Sequence, residues 1–381
     1  MLARRARSSL ARIIQARKCS STHSAGVPCS SLSRKLMRHT AAVSLRLVRL
    51  NGLTYLLRSF VMVLVLPNYL MLFAMLQGPP PGGVYADAVE PTLPGATLSE
   101  AMRARLAEPM RTRNWAQAEE ILAAEIERQP GSRDLLVLLG RIFFLDGKSL
   151  NAAVALLKSE KLGPLDADAR FVLALAFSAI ERADLARPYL QKLHDDKPGN
   201  PNYLYWLGRL DFEGQHFAEA AAKYREIIQA TPEFVRAWDG LGLTCEALGK
   251  FEEAEKYYRQ AVEQNRRQSK LSPWPPYNYG SMLIGLGQID EAEPLLKEAV
   301  TSDPSFARAH FKYGVLHELR GDFEKALYEL QRAVALDSDA TQSFPALIRI
   351  YHRMGRAADE AQAVAEFQRR KNRVEARKLQ K

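Results

Sequence analysis

His310 and His317 lie seven positions apart, two turns along one face of a helix. Such a pair could give two imidazoles to a zinc ion, but no third ligand lies near them in sequence. They read as packing residues against a neighbouring helix. Glu252, Glu253 and Glu255 gather acid that could move protons, yet their spacing marks an outward, solvated helix face. Cys245 falls on an apolar helical face and reads as a small buried hydrophobe. The other cysteines, Cys19 and Cys29, lie far upstream, so residues 87–381 hold no disulfide framework and no zinc spacing. No Walker motif, G-x-S-x-G or H-E-x-x-H occurs. The expectation is a non-enzymatic chain without a metal or cofactor.

Charge narrows the choice of partner. The net charge of +10 is unevenly placed: twelve of the 53 Lys and Arg precede Asp87, the first acid. That leaves 41 basic against 43 acidic residues in the rest of the chain. A nucleic-acid domain would carry its basic stripe on the folded part, so that class is excluded.

Residues 1–58 form a basic leader rich in Arg and Ser. "SFVMVLVLPNYLMLFAML", residues 59–76, carries no charge. As a helix it would reach about 27 Å, near the thickness of a bilayer's hydrocarbon core. Pro67 and Asn68 interrupt its middle, and a Pro/Gly-rich linker, 77–98, follows. Val84-x-Ala86 and Ala86-x-Ala88 fit a signal-cleavage site, and Arg46, Arg49 and Arg58 supply a positive flank. The segment is expected to be a cleaved signal or a transmembrane anchor, with the later residues outside the cytoplasm. Mitochondrial import is the alternative, because the leader is Arg- and Ser-rich and free of acid.

The elements that would position any site emerge from an internal repeat. Ala118, Ala152, Ala186, Ala220 and Ala254 are spaced by 34; Ala292 follows after 38 and Ala326 after 34. Gly140, Gly208, Gly242, Gly280 and Gly314 fall twelve residues before them, with Ala174 in the remaining place. Gly147, Gly249, Gly287 and Gly321 fall five before, and Pro130, Pro164, Pro198, Pro232 and Pro304 twelve after. Small residues let two helices approach, the second glycine suits a tight inter-helix turn, and the proline ends a unit. Units begin near Ser99, Arg133, Ala167, Pro201, Val235, Pro273, Ala307 and Thr341. In the last, Ile348 replaces the glycine and one extra residue is placed before Ala361.

"WDGLGLTCEALGKFEEAEKYYRQA", residues 238–261, resembles the tetratricopeptide repeat through Trp238, Leu241, Gly242, Ala254 and Tyr258. Cys245 stands where that family prefers Tyr. The resemblance covers residues 99–367 and implies an all-α right-handed solenoid of seven to eight helix-turn-helix units. A basic cap helix, 368–381, is expected to follow.

"SPWPPYNYG", residues 272–280, sits where the period slips from 34 to 38. Gly280 resumes the frame, so four extra residues lengthen one turn. The prolines fall in the first turn of a helix, where early N–H groups have no helical partner.

The resemblance also implies a function: first helices of successive units line a concave groove for protein or peptide partners. In one subclass the groove clamps a carboxylate with Lys and Asn at positions 5 and 9 of one unit. Asn at position 6 of the next and basic residues at positions 2 and 6 of the third complete it. Asn278, Arg308 and Lys312 match the second and third units, whereas Asp239 and Leu243 stand where the first needs Lys and Asn. Arg209, Arg349 and Arg353 add positive charge on first helices, Tyr205, Trp274 and Tyr277 add aromatic surface, and Glu213, Glu246 and Glu318 dilute the charge. Arg236 is placed outside the partial clamp. The expected function is a protein-interaction scaffold binding an acidic peptide or a free C-terminus. The alternative is an accessory subunit that positions substrate for an envelope enzyme such as a glycosyltransferase or protease.

Overall fold

The computed structural model describes residues 98–337 and 341–379, and the leader, apolar run and nearly all of the linker lie outside them. The described residues form sixteen α-helices in eight antiparallel pairs and no strand. The pairs are α1 (Glu100–Arg111) with α2 (Trp115–Arg128), and α3 (Arg133–Leu145) with α4 (Ser149–Leu162). Next come α5 (Ala167–Ala179) with α6 (Ala183–Asp196), and α7 (Pro201–Glu213) with α8 (Phe217–Ala230). α9 (Val235–Ala247) pairs with α10 (Phe251–Arg266), and α11 (Trp274–Gly285) with α12 (Ile289–Ser302). α13 (Ala307–Arg320) with α14 (Phe323–Leu336), and α15 (Phe344–Arg353) with α16 (Ala357–Leu379), complete the stack. Among the described residues no helix is long and apolar enough to cross a membrane.

Local sequence starts several of these helices. Ser99, Asn114, Asp166 and Asn200 each accept a backbone N–H with their side chains, and Pro201 opens α7. From α8 to α15 the helices lack side-chain N-caps, so packing has to hold them.

Packing follows the repeat. All seven in-frame alanines are fully buried between the two helices of a pair. Opposite them, a Cβ added at Gly242 would come within 2.5 Å of the Tyr258 ring. Only glycine lets that buried ring lie against the α9 backbone. The core is correspondingly serial, with apolar clusters spanning residues 98–142, 137–241, 245–316 and 326–363 in turn.

The turn inside each pair has one recurring left-handed residue. Gly147, Gly249, Gly287, Gly321 and Gly355 have φ between 67° and 85°, and Arg113, Glu181 and Gln215 take the same place at 54°, 59° and 62°. Gly355 lies 34 residues after Gly321, so no extra residue enters the last unit. The in-frame position there is Glu360; Ala361 is exposed and Ala363 takes the buried place instead. α16 runs unbroken past residue 367 to Leu379.

The lengthened turn lies between α10 and α11. α10 is two residues longer than most second helices, and the buried Asn265 near its end clasps the connection. Its Nδ2 donates to the Ser272 carbonyl at 2.8 Å, and its Oδ1 accepts the Ser272 N–H at 2.9 Å. Trp274, Pro275 and Pro276 then open α11.

Candidate partner-binding groove

The first helices α7, α9, α11, α13 and α15 present the expected site residues, and neighbouring first helices touch. Charges reach across several of them: Arg209 on α7 acts electrostatically on Asp239 of α9 and on Arg308 of α13.

Two clusters repeat along this face. In the first, Tyr205 meets Phe234 edge to face at 5.9 Å, and the Arg236 guanidinium lies 5.1 Å from both ring centroids. Asn202 accepts a hydrogen bond from Arg236 and orients it further. In the second, Tyr277 meets Phe306 at 5.2 Å, Trp274 meets Phe306 at 4.7 Å, and the Arg308 guanidinium lies 5.7 Å from Trp274. Tyr277, Phe306 and Arg308 each follow their counterparts by 72 residues, two units of the frame. Stacking holds each flexible arginine on a rigid platform, half-buried. Burial pushes the Arg308 pKa down, with the Arg209 charge adding and Tyr277 and Asp337 opposing.

Between the clusters lies a buried polar strip. Asn278 donates from Nδ2 to Asp239 Oδ2 at 2.8 Å, while Asp239 Oδ1 has no hydrogen-bond partner. Burial raises the Asp239 carboxyl to about 7 against the opposing pull of Asn278 and Arg209. Burial likewise raises Glu246 to about 7, although Tyr258 donates to it at 2.6 Å and the Lys312 charge favours its ionised form. Lys312 is half-buried, and desolvation lowers its pKa against the pull of Glu246.

Arg209 and Arg349 have acidic partners. Arg209 is buried and donates to Glu213 at 2.8 Å. Arg349 grips Glu318 with two hydrogen bonds of 2.9 and 2.8 Å. Arg353 lies over the Phe323 ring, at the start of a second helix. His310 sits between Glu329 at 2.6 Å and the Pro304 carbonyl at 3.1 Å.

The tetratricopeptide repeat profile matches residues 110–161, 147–201, 205–269 and 280–341, more than half of the chain. The chain belongs to the tetratricopeptide repeat family. PilF of Pseudomonas aeruginosa, a type IV pilus assembly protein, is 28% identical over 143 residues, covering 37% of this chain and 57% of PilF. Human protein O-mannosyl-transferase TMTC2 is 32% identical over 120 residues, covering 30% of this chain and 14% of that protein. The chain thus spans well under two thirds of either relative. Yeast Tom70 shares the fold with a TM-score of 0.56 at 16% identity, covering 81% of this chain and 72% of its own. A tetratricopeptide repeat protein from Parabacteroides merdae does so at 0.51 and 18%, covering 62% of this chain and 92% of its own.

In the tetratricopeptide frame Arg236 and Arg308 both occupy position 2 of their first helices. Arg236 therefore belongs with the groove cluster rather than outside it, a correction that follows from its contacts with Tyr205 and Phe234. Phe234 and Phe306 escaped the sequence reading because each sits one residue before its helix. Their shared spacing of 72 was the available signal.

Proposed function

We propose that this tetratricopeptide scaffold binds an acidic or C-terminal peptide segment of a partner protein across α7 to α13. The observation that carries this reading is the duplicated arginine on its aromatic platform, Arg236 at one station and Arg308 at the next. A guanidinium held half-buried against aromatic rings is oriented to donate charge-assisted hydrogen bonds to an incoming carboxylate. Lys312 and the carbonyl of Asn278 lie beside the second station and suit a peptide's carboxylate and backbone N–H. Trp274 and Tyr277, both half-buried, supply apolar contact. Asp239 and Glu246 oppose the same ligand once ionised, so binding is expected to tighten as pH falls below about 7.

The test is binding of a labelled peptide ending in consecutive acidic residues, measured on the full chain. Arg308→Ala with Lys312→Ala removes two charge-assisted hydrogen bonds and should weaken binding about a hundredfold. Arg236→Ala should weaken it about tenfold, whereas Arg259→Ala, on the exposed face of α10, should not matter. Undiminished binding by the double variant would refute the reading.

Export or membrane anchoring remains part of the proposal, on the strength of the apolar run at 59–76 and its arginine flank. A reporter active only outside the cytoplasm, fused after residue 100, should be active in a suitable host. The similarity to an O-mannosyl-transferase supports the second reading, a substrate-positioning subunit of an envelope enzyme. Stoichiometric co-purification with one enzyme would favour it.

A further inference from the structure

On the opposite side of α13 from the groove cluster, α12, α13 and α14 enclose a dish of about 400 Å³. Its floor is Tyr313 and His317 of α13, whose rings meet at 4.5 Å. Its walls are Glu293 of α12 and Glu324, Lys325, Tyr328 and Glu329 of α14. Helical spacing creates this lining, because Glu324 with Tyr328 and Lys325 with Glu329 are each one turn apart.

Three features point to a ligand. Three carboxylates, Glu293, Glu324 and Glu329, and one ammonium group, that of Lys325, line the dish. Glu329 is committed to His310, Glu293 to Arg320 and Lys325 to Asp322, which leaves Glu324 as the carboxylate open to a ligand. Tyr328 is 62% exposed, so much of its aromatic side chain is open to solvent. His317 is only 3% exposed, and its Nδ1 has no hydrogen-bond partner, the nearest carboxylate being Asp322 at 3.7 Å. Burial, helped by Lys325, lowers the pKa of His317 and keeps the imidazole neutral, with one ring nitrogen able to accept a proton donor.

We infer that this outer dish binds an arginine or lysine side chain from a basic segment of a protein partner. Tyr313 and Tyr328 would flank the cation with their ring faces, Glu324 would pair with it, and His317 would accept one of its N–H groups. The chemistry is opposite in sign to that of the groove, so the two sites would hold different segments.

The probe is a rhodamine-labelled tetra-arginine peptide, followed by anisotropy with the full chain, and tetra-glutamate is the opposite-charge control. Glu324→Gln with Tyr328→Ala changes only exposed side chains and should weaken tetra-arginine binding about tenfold. His317→Phe keeps a ring on Tyr313 but removes the acceptor, and should weaken it severalfold. Arg308→Ala in the groove should leave it unchanged. Equal affinity in the Glu324→Gln/Tyr328→Ala variant would overturn the site, and that variant decides the matter even if His317→Phe fails to fold. Arginine amide competing as well as the peptide, per guanidinium, would show a free-cation site and overturn the protein-partner reading. A parent dimer in sedimentation that this double variant lacks would assign the dish to a second copy, also overturning it.

Discussion

Asp239 and Glu246 are carboxylic acids placed where water cannot reach them well. Desolvation holds both near 7, above the ordinary carboxylate range of about 4. Between those values the folded chain retains protons that the unfolded chain has released, so stability falls as pH rises through that window. The parent should therefore melt at a higher temperature at pH 5.5 than at pH 8. Asp239→Asn preserves an acceptor for Asn278 and removes the charge, so it should gain on the order of 2 kcal/mol at pH 8, about half of that at pH 5.5 and little at pH 4. A variant whose stability follows the same pH curve as the parent would sink this account. The sequence identified Asp239 and Glu246 as acids near a basic groove, and Asn278, Arg308 and Lys312 as candidate donors. It did not show that Asn278 is already bonded to Asp239, because that contact joins residues 39 apart across two units.

The turn between the helices of a pair is an element with one geometry and varied sequence. Where the left-handed residue is glycine, the 34-residue spacing exposes it; where it is Arg113, Glu181 or Gln215, only the backbone does. A residue with a Cβ pays strain at such φ, and packing of the two helices imposes that cost. Gln215→Gly should stabilise the chain by about 0.5–1 kcal/mol, the relief of strain exceeding the extra entropy of glycine. Gly249→Ala should lose about 1 kcal/mol despite open space around it. Chemical denaturation of both variants checks the pair of signs. The lengthened turn before α11 was legible as a four-residue slip, but its clasp by Asn265 was not. An asparagine near the end of a helix has no sequence mark that distinguishes a clasp from a solvated amide.

At the scale of the whole repeat array, each helix packs mainly on its immediate and next-but-one neighbours, so stability is a sum of units and interfaces. Ile350 is fully buried in the last apolar cluster, and Ile350→Ala should cost about 2–5 kcal/mol locally. Amide exchange in α14 to α16 should rise sharply while α3 to α8 stay protected. Uniform loss of protection along the chain would mean one cooperative core instead of a serial one. The sequence by itself determined the helix pairs, their frame and the small residues at each close approach. These depend on periodicity and on local steric rules, which the six inner units state. The terminal units do not, since Leu106 and Ile348 stand at the close approach and Glu360 at the in-frame alanine position. Tertiary structure decided which charges of the first helices are spent on internal partners, that Arg236 and Arg308 stack on aromatic rings at equivalent positions of their units, and that His317 lines a dish beside Glu324. Those outcomes depend on side chains from different units meeting in space, and on how much water is left between them.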